Sequence, residues 1–151
     1  MRALLEHFYI LVEYLSEADI ETIISLILID LGFPSGRPAF VYLKSAILLY
    51  REKPEQLFTW ELYPDVSKKN GQKSRLQIEI AIRREIRKCW AKQKPEKWML
   101  YFPNGVSNPE TGPTNSEVII GLTQILRIWE ACVENYKKKL KEGDKHEQNI
   151  I

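Results

Sequence analysis

Residues 66–94 read VSKKNGQKSRLQIEIAIRREIRKCWAKQK. Ten basic side chains (Lys68, Lys69, Lys73, Arg75, Arg83, Arg84, Arg87, Lys88, Lys92 and Lys94) stand there against two acids, Glu79 and Glu85, a formal charge of +8. The whole chain carries only +2, so the other 122 residues sum to −6. A field this local points to a polyanionic partner more strongly than the overall charge does. Within the same stretch Ile78, Ile82, Ile86, Cys89 and Trp90 recur at steps of three and four. That period predicts an amphipathic helix over 75–93 with one face in a core, rather than a disordered basic tail. Pro95 marks its end.

At ~100° per residue, Ile78, Cys89, Ile82, Ile86 and Trp90 share one arc. Gln77, Ile80, Arg84, Arg87 and Lys88 lie opposite, with Leu76 and Arg83 at the margin. Upstream, Lys69-Asn70-Gly71-Gln72-Lys73-Ser74 is a polar turn of the length that separates paired helices. A short helix before it and the long one after it make a helix-turn-helix candidate, whose second helix enters the DNA major groove. In that geometry Arg83 and Arg84 suit guanine, Gln77 an adenine edge, Glu79 the cytosine amino group, and Ile80 and Leu76 thymine methyls. Lys68, Lys69, Lys73, Arg75, Arg87 and Lys88 are the phosphate candidates, which position without specifying. Two plainer readings stand beside these. Glu79 can simply pair with Arg75 or Arg83, worth only ~0.3–0.5 kcal/mol, and exposed Ile80 and Leu76 can meet a protein.

Further out, Leu4, Leu5, Phe8, Leu11, Val12 and Leu15 predict a first helix over 4–15. Ser16 reads as an N-cap with Asp19 three residues on, and Ile20 to Leu31 as a second helix that Gly32 and Pro34 stop. A third helix is expected over 39–51. Pro54 opens a fourth helical stretch through Leu57, Phe58 and Trp60, and Pro64 starts the short helix before the turn. Trp98 to Phe102 is an aromatic patch of about one helical turn, and Pro103 to Pro113 is loop. Thr114 and Glu117 have capping-box spacing at the head of a last helix. Its stripe runs from Val118 through Trp129 to Leu140, and Gly143 closes it. The fold class expected is all-α, a bundle of about six to seven helices with an extra N-terminal helix and a long C-terminal one. Residues 1–18 form a helical extension, 19–143 the helix-turn-helix unit and 144–151 a polar tail.

The chain has 151 residues, 44% hydrophobic and 28% charged, as in ordinary globular proteins. Glu6 and Glu13 break up any signal-peptide core, and the longest greasy run is far too short for a membrane span. Cys89 and Cys132 both sit on apolar stripes and read as small hydrophobes, which implies a reducing, cytoplasmic location. Catalytic chemistry has no foothold. His7 and His146 lack ligand partners at metal spacing, and there is no Cys-x-x-Cys, phosphate loop or nucleophile elbow. No enzyme activity, metal or cofactor is expected.

Four blocks in order resemble the DNA-binding effector domain of stage-zero sporulation protein A, a response regulator of endospore-forming bacteria. They are Leu31-Gly32-Phe33-Pro34 followed by Tyr42-Leu43 and Ala46-Ile47; Leu62-Tyr63-Pro64-Asp65 with Lys68-Lys69; Glu79, Ala81-Ile82-Arg83, Glu85-Ile86 and Trp90; and Pro113-Thr114-Asn115-Ser116-Glu117. The resemblance covers roughly Asp19 to Ala131. It implies an all-helical domain that binds operator DNA, here without the receiver domain that precedes it in the family. In the Ala81-Ile82-Arg83 register Glu79 falls on a family base-region glutamate, Gln77 and Ile80 fall where the family has DNA-contacting arginines, and Arg84 replaces a histidine. The expected function is therefore a sequence-specific, DNA-binding transcriptional regulator without its own phosphoacceptor domain. The alternative is a protein-interaction module or antagonist of the same fold that has lost specific reading. Double-stranded DNA is the expected partner, with RNA polymerase or a related full-length regulator as protein partners and no membrane. The stripes of 4–15 and 129–140 either pack on each other as extra core or form the seam of a homodimer.

Overall fold

A computed structural model of the chain describes residues 2–93 and 95–149. Lys94, one of the ten cations counted above, and Ile150 and Ile151 of the expected tail lie outside the described residues. Among the described residues seven α-helices follow in order: α1 (Arg2–Leu15), α2 (Ile20–Asp30), α3 (Pro38–Glu52), α4 (Tyr63–Lys69), α5 (Arg75–Lys92), α6 (Pro95–Tyr101) and α7 (Asn115–Asn149). A single π-helical turn, Phe58–Leu62, runs directly into α4. Among the described residues there is no strand, and the fold is all-α as expected.

Helix α3 lies in the middle and touches α2, α4, α5 and α7. It can do so because its inward side chains are apolar and fully buried, among them Leu43, Ala46 and Ile47. The stop after α2 has a clear chemical cause. Gly32 takes φ +96°, its N–H reaches the Ile29 carbonyl at 2.9 Å and the Phe33 N–H reaches the Leu28 carbonyl at 2.9 Å. This is a Schellman ending, which satisfies two carbonyls the helix would leave bare. It also drops Phe33 into the core against Trp98, ring centres 6.0 Å apart.

Four local expectations are corrected. Asp19, not Ser16, caps α2, its carboxylate accepting from the Thr22 N–H at 2.8 Å; a cap must sit immediately before the first helical residue. Residues after Pro54 do not form a helix until the π turn at Phe58. Pro95 does not merely end α5 but opens α6, since proline's missing N–H costs nothing in a first turn. Gly143 does not close α7, which continues to Asn149; Gly143 lacks the positive φ of a helix stop, and glycine inside a helix costs only about 1 kcal/mol.

The stripe of α1 joins the main core. Leu4, Phe8 and Val12 are buried, and Phe8 meets Trp129 of α7 edge to face at 5.1 Å. Farther along α7, Tyr136 is half-buried and Leu140 is exposed. At the other end of this layer Asp30 of α2 accepts from Lys97 Nζ at 2.8 Å and from the Tyr101 hydroxyl at 2.6 Å, tying α6 to α2. Burial alone would raise the Asp30 carboxyl, but the Lys97 and Tyr101 hydrogen bonds outweigh it and hold it below its ordinary value. The Tyr101 phenol is driven far up, by burial first and by Asp30 second, so it remains a donor.

Removing the acceptor by Asp30→Ala strands the buried Tyr101 hydroxyl, and about 1–3 kcal/mol of stability should be lost at neutral pH. Because the folded carboxyl lies below its unfolded value of 3.8, this contribution is present above that pH and disappears as pH falls through the folded value. Urea midpoints of wild type and variant should therefore converge toward acid; a gap that stays constant with pH would contradict this account.

Candidate nucleic-acid interface

The basic stretch is built on three consecutive local devices. The first is the π turn. The Leu57 carbonyl accepts from both Glu61 N–H at 2.9 Å and Leu62 N–H at 3.0 Å, and the extra residue turns Trp60 outward, where it is 74% exposed. The second is α4, which buries Tyr63 and Val66 and leaves Lys68 and Lys69 in solvent. The third is the turn after it. Asn70 Nδ2 donates to the Val66 carbonyl at 2.8 Å and to Ser45 Oγ of α3 at 3.1 Å. The Gln72 N–H returns to the Ser67 carbonyl at 2.8 Å, and the Ser67 hydroxyl donates to the Lys73 carbonyl. Gly71 and Gln72 both take positive φ, +84° and +60°. Glycine does so freely; Gln72 is held there by these ties.

Helix α5 then starts on a full capping box. Ser74 Oγ accepts from the Gln77 N–H at 3.1 Å, and Gln77 Oε1 accepts from the Ser74 N–H at 3.2 Å. Its inner arc is as the period predicted: Ile78, Ile82, Ile86 and Cys89 are buried, while Trp90 is half-buried with its indole N–H on the Pro109 carbonyl at 2.9 Å. The Cys89 thiol lies 3.4 Å from the Gly32 carbonyl. Burial, aided by the Glu85 charge, pushes it up to about 11, so it stays a protonated core side chain. Glu85 is itself buried, a placement its charge did not foretell.

The outer arc is open. Leu76, Gln77, Arg83, Arg84, Arg87 and Lys88 are exposed, as are Lys68, Lys69 and Lys73 beside them. Among the described residues no salt bridge engages any of these cations. Three expected site residues sit differently. Glu79 is half-buried at the edge of the arc near Tyr63, and its backbone carbonyl accepts from Asn115 Nδ2 at 3.0 Å. It makes no ion pair with Arg75 or Arg83. Ile80 is half-buried. Arg75 is half-buried too, its guanidinium 5.4 Å above the Trp60 ring, a cation–π contact worth about 0.5–1 kcal/mol at an exposed site. Trp60 was expected only as part of a helical stretch after Pro54, with no facing assigned, and the π turn leaves it at the surface. With Lys68, Lys73, Ser74 and Arg75 it borders a shallow, cationic cleft of about 520 Å³.

The face is held from the far side by the start of α7. Thr114 Oγ1 accepts from the Glu117 N–H at 3.1 Å, and Glu117 Oε1 accepts from the Thr114 N–H at 3.2 Å, the expected capping box. Glu117 also takes the Ser107 N–H at 3.0 Å. Burial raises its carboxyl, but the Ser107 and Thr114 hydrogen bonds prevail and keep it below the ordinary glutamate value. This arrangement sets Asn115 against α5.

Among the described residues, no three His, Cys, Asp or Glu side chains gather as metal ligands, and no helix is long and apolar enough to cross a membrane. A family model described as sporulation initiation factor Spo0A C terminal matches residues 24–126, more than half of the chain. The match takes in α3 to α6, the π turn and the helix-turn-helix pair, and leaves out α1 and the distal half of α7.

Ser74→Ala removes one half of the capping box and should cost about 1 kcal/mol. It should also speed hydrogen exchange at the Gln77 amide, while the Ile86 amide keeps its protection. Unchanged urea stability would show that the cap does not hold the start of α5.

Proposed function

We propose, on the premise that the chain belongs to the sporulation initiation factor Spo0A C-terminal family, that it is a sequence-specific, DNA-binding transcriptional regulator. The observation that carries this reading is the open arc of α5, four cations without ion-pair partners among the described residues on a helix whose other arc is buried. A basic helix fastened by its apolar face can lie in a major groove without unfolding or turning. Arg83 and Arg84 are the base readers, each able to grip a guanine with a bidentate fork. Gln77 keeps its Nε2 group for a base edge while its oxygen serves the cap. Glu79 and Ile80, at the borders of the arc, are left to shape the contact. Lys68, Lys69, Lys73, Arg87 and Lys88 neutralise phosphates, and Arg75, steadied on Trp60, does so from the cleft. Such a protein works in the cytoplasm on duplex DNA. RNA polymerase or a related full-length regulator is its protein partner, and a homodimer places two such helices on one operator.

A second reading has one observation in its favour. Trp60 and Leu76 are both large, apolar and more than half exposed, Leu76 on α5 and Trp60 against its Arg75. That is the mark of a protein-interaction module which kept the fold and lost base reading.

Titration of duplex DNA at low salt separates the two. A reader should bind with sub-micromolar affinity and weaken steeply with salt, log K falling by about 0.9 per phosphate neutralised for each decade of salt. Arg83→Ala and Arg84→Ala should each remove about 1–3 kcal/mol of preference for the selected site, whereas Lys69→Ala should weaken all duplexes alike and flatten the salt slope by about one. Absence of duplex affinity beyond the micromolar range would leave only the interaction module.

A further inference from the structure

Away from the basic face, α1 and α2 do not close on each other. Between them, floored by Trp129 of α7, runs a cleft of about 260 Å³ walled by Phe8, Leu11, Leu15, Ile23 and Ile27. The wall is almost wholly apolar, and Leu26 stands at its lip with 42% of its surface exposed. Polar groups gather at only one place: His7, Asp30 and Tyr101 also line the cleft. Asp30 is an anion there, and its two oxygens each accept one hydrogen bond, Oδ1 from Lys97 and Oδ2 from Tyr101. A carboxylate oxygen has two acceptor sites, so each retains capacity for another donor. The His7 imidazole lies close to the same carboxylate, at this corner too.

We propose that this cleft is a binding site for a small, uncharged, two-ring aromatic molecule carrying one N–H or O–H donor, the rings on Trp129 and the donor directed to Asp30. Size sets the class. An apolar cavity of about 150 Å³ takes up benzene, so a cleft of about 260 Å³ has room for two fused rings. The polar groups lie at one corner only, so a donor belongs at one end of the ligand; a polar group at the other end would be buried against Leu11 and Ile23 without a partner. The site depends on α1, which lies before the segment matched to the family, and it is independent of DNA reading.

Indole supplies the rings and the donor; benzothiophene has the same shape without the N–H. Calorimetric titration of the full chain should show saturable, sub-millimolar binding of indole and about tenfold weaker binding of benzothiophene. Leu26→Trp, which fills the mouth from a partly exposed position, should abolish binding of both while the protein still melts cooperatively. Leu15→Trp serves the same purpose should the first variant fail to fold. Ile10→Ala, on the exposed side of α1, should leave both affinities unchanged. The site does not exist if wild type binds neither probe, or if either folded tryptophan variant binds them as wild type does. Equal affinity for the two probes would overturn the donor-bearing class.

Discussion

Burial of one arc of α5 is the constraint on which the remaining structure depends. Ile78, Ile82 and Ile86 are 0–1% exposed, and burying three such side chains contributes roughly 5–9 kcal/mol. Against this stands the mutual repulsion of cations three and four residues apart on the outer arc, Arg83 with Arg87 and Arg84 with Arg87 and Lys88. Each such pair costs only about 0.2–0.5 kcal/mol. The apolar term wins by a wide margin, so the helix can carry unpaired charge toward solvent. A helix with the same cations and no anchored face would have melted into a basic tail.

The anchor needs a surface to hold, and the other helices supply it. Helix α3 contributes Leu43, Ala46 and Ile47, and its Ser45 holds the turn through Asn70. The head of α7 fixes its own start with the Thr114–Glu117 box and then reaches α5 through Asn115. The Schellman ending of α2 brings the Gly32 carbonyl to the Cys89 thiol. None of these contacts touches the outer arc. They hold α5 from behind and from its two ends, which leaves Arg83, Arg84, Arg87 and Lys88 unengaged.

Elements with a strong internal period were legible before any coordinates. α3 was expected over 39–51 and spans Pro38–Glu52; α5 was expected over 75–93 and spans Arg75–Lys92. The errors fell where local rules compete. Ser16 and Asp19 are both good caps, and only the true start of α2 at Ile20 decides between them. Gly143 resembles a helix stop, yet a glycine ends a helix only when the chain turns there. The site divides in the same way. The exposure of Arg84, Arg87 and Lys88 followed from phase, with Arg83 expected at the margin. That of Trp60 did not, because the stretch after Pro54 assigned it no facing, and the burial of Glu85 did not, because charge ordinarily argues for the surface.

The sequence by itself determined the helical class, the phase of α5 and the concentration of positive charge on its outer arc, because these rest on spacing within one segment. Tertiary structure alone decided how free each candidate side chain is. Gln77 is committed in part to its cap, a contact three residues away that its spacing allowed but did not require. Glu79 is drawn to the edge beside Tyr63 and Asn115, and Arg75 is laid over Trp60. Those partners stand 15 to 36 residues away, and a period of 3.6 residues carries no information about a neighbour brought in by the fold.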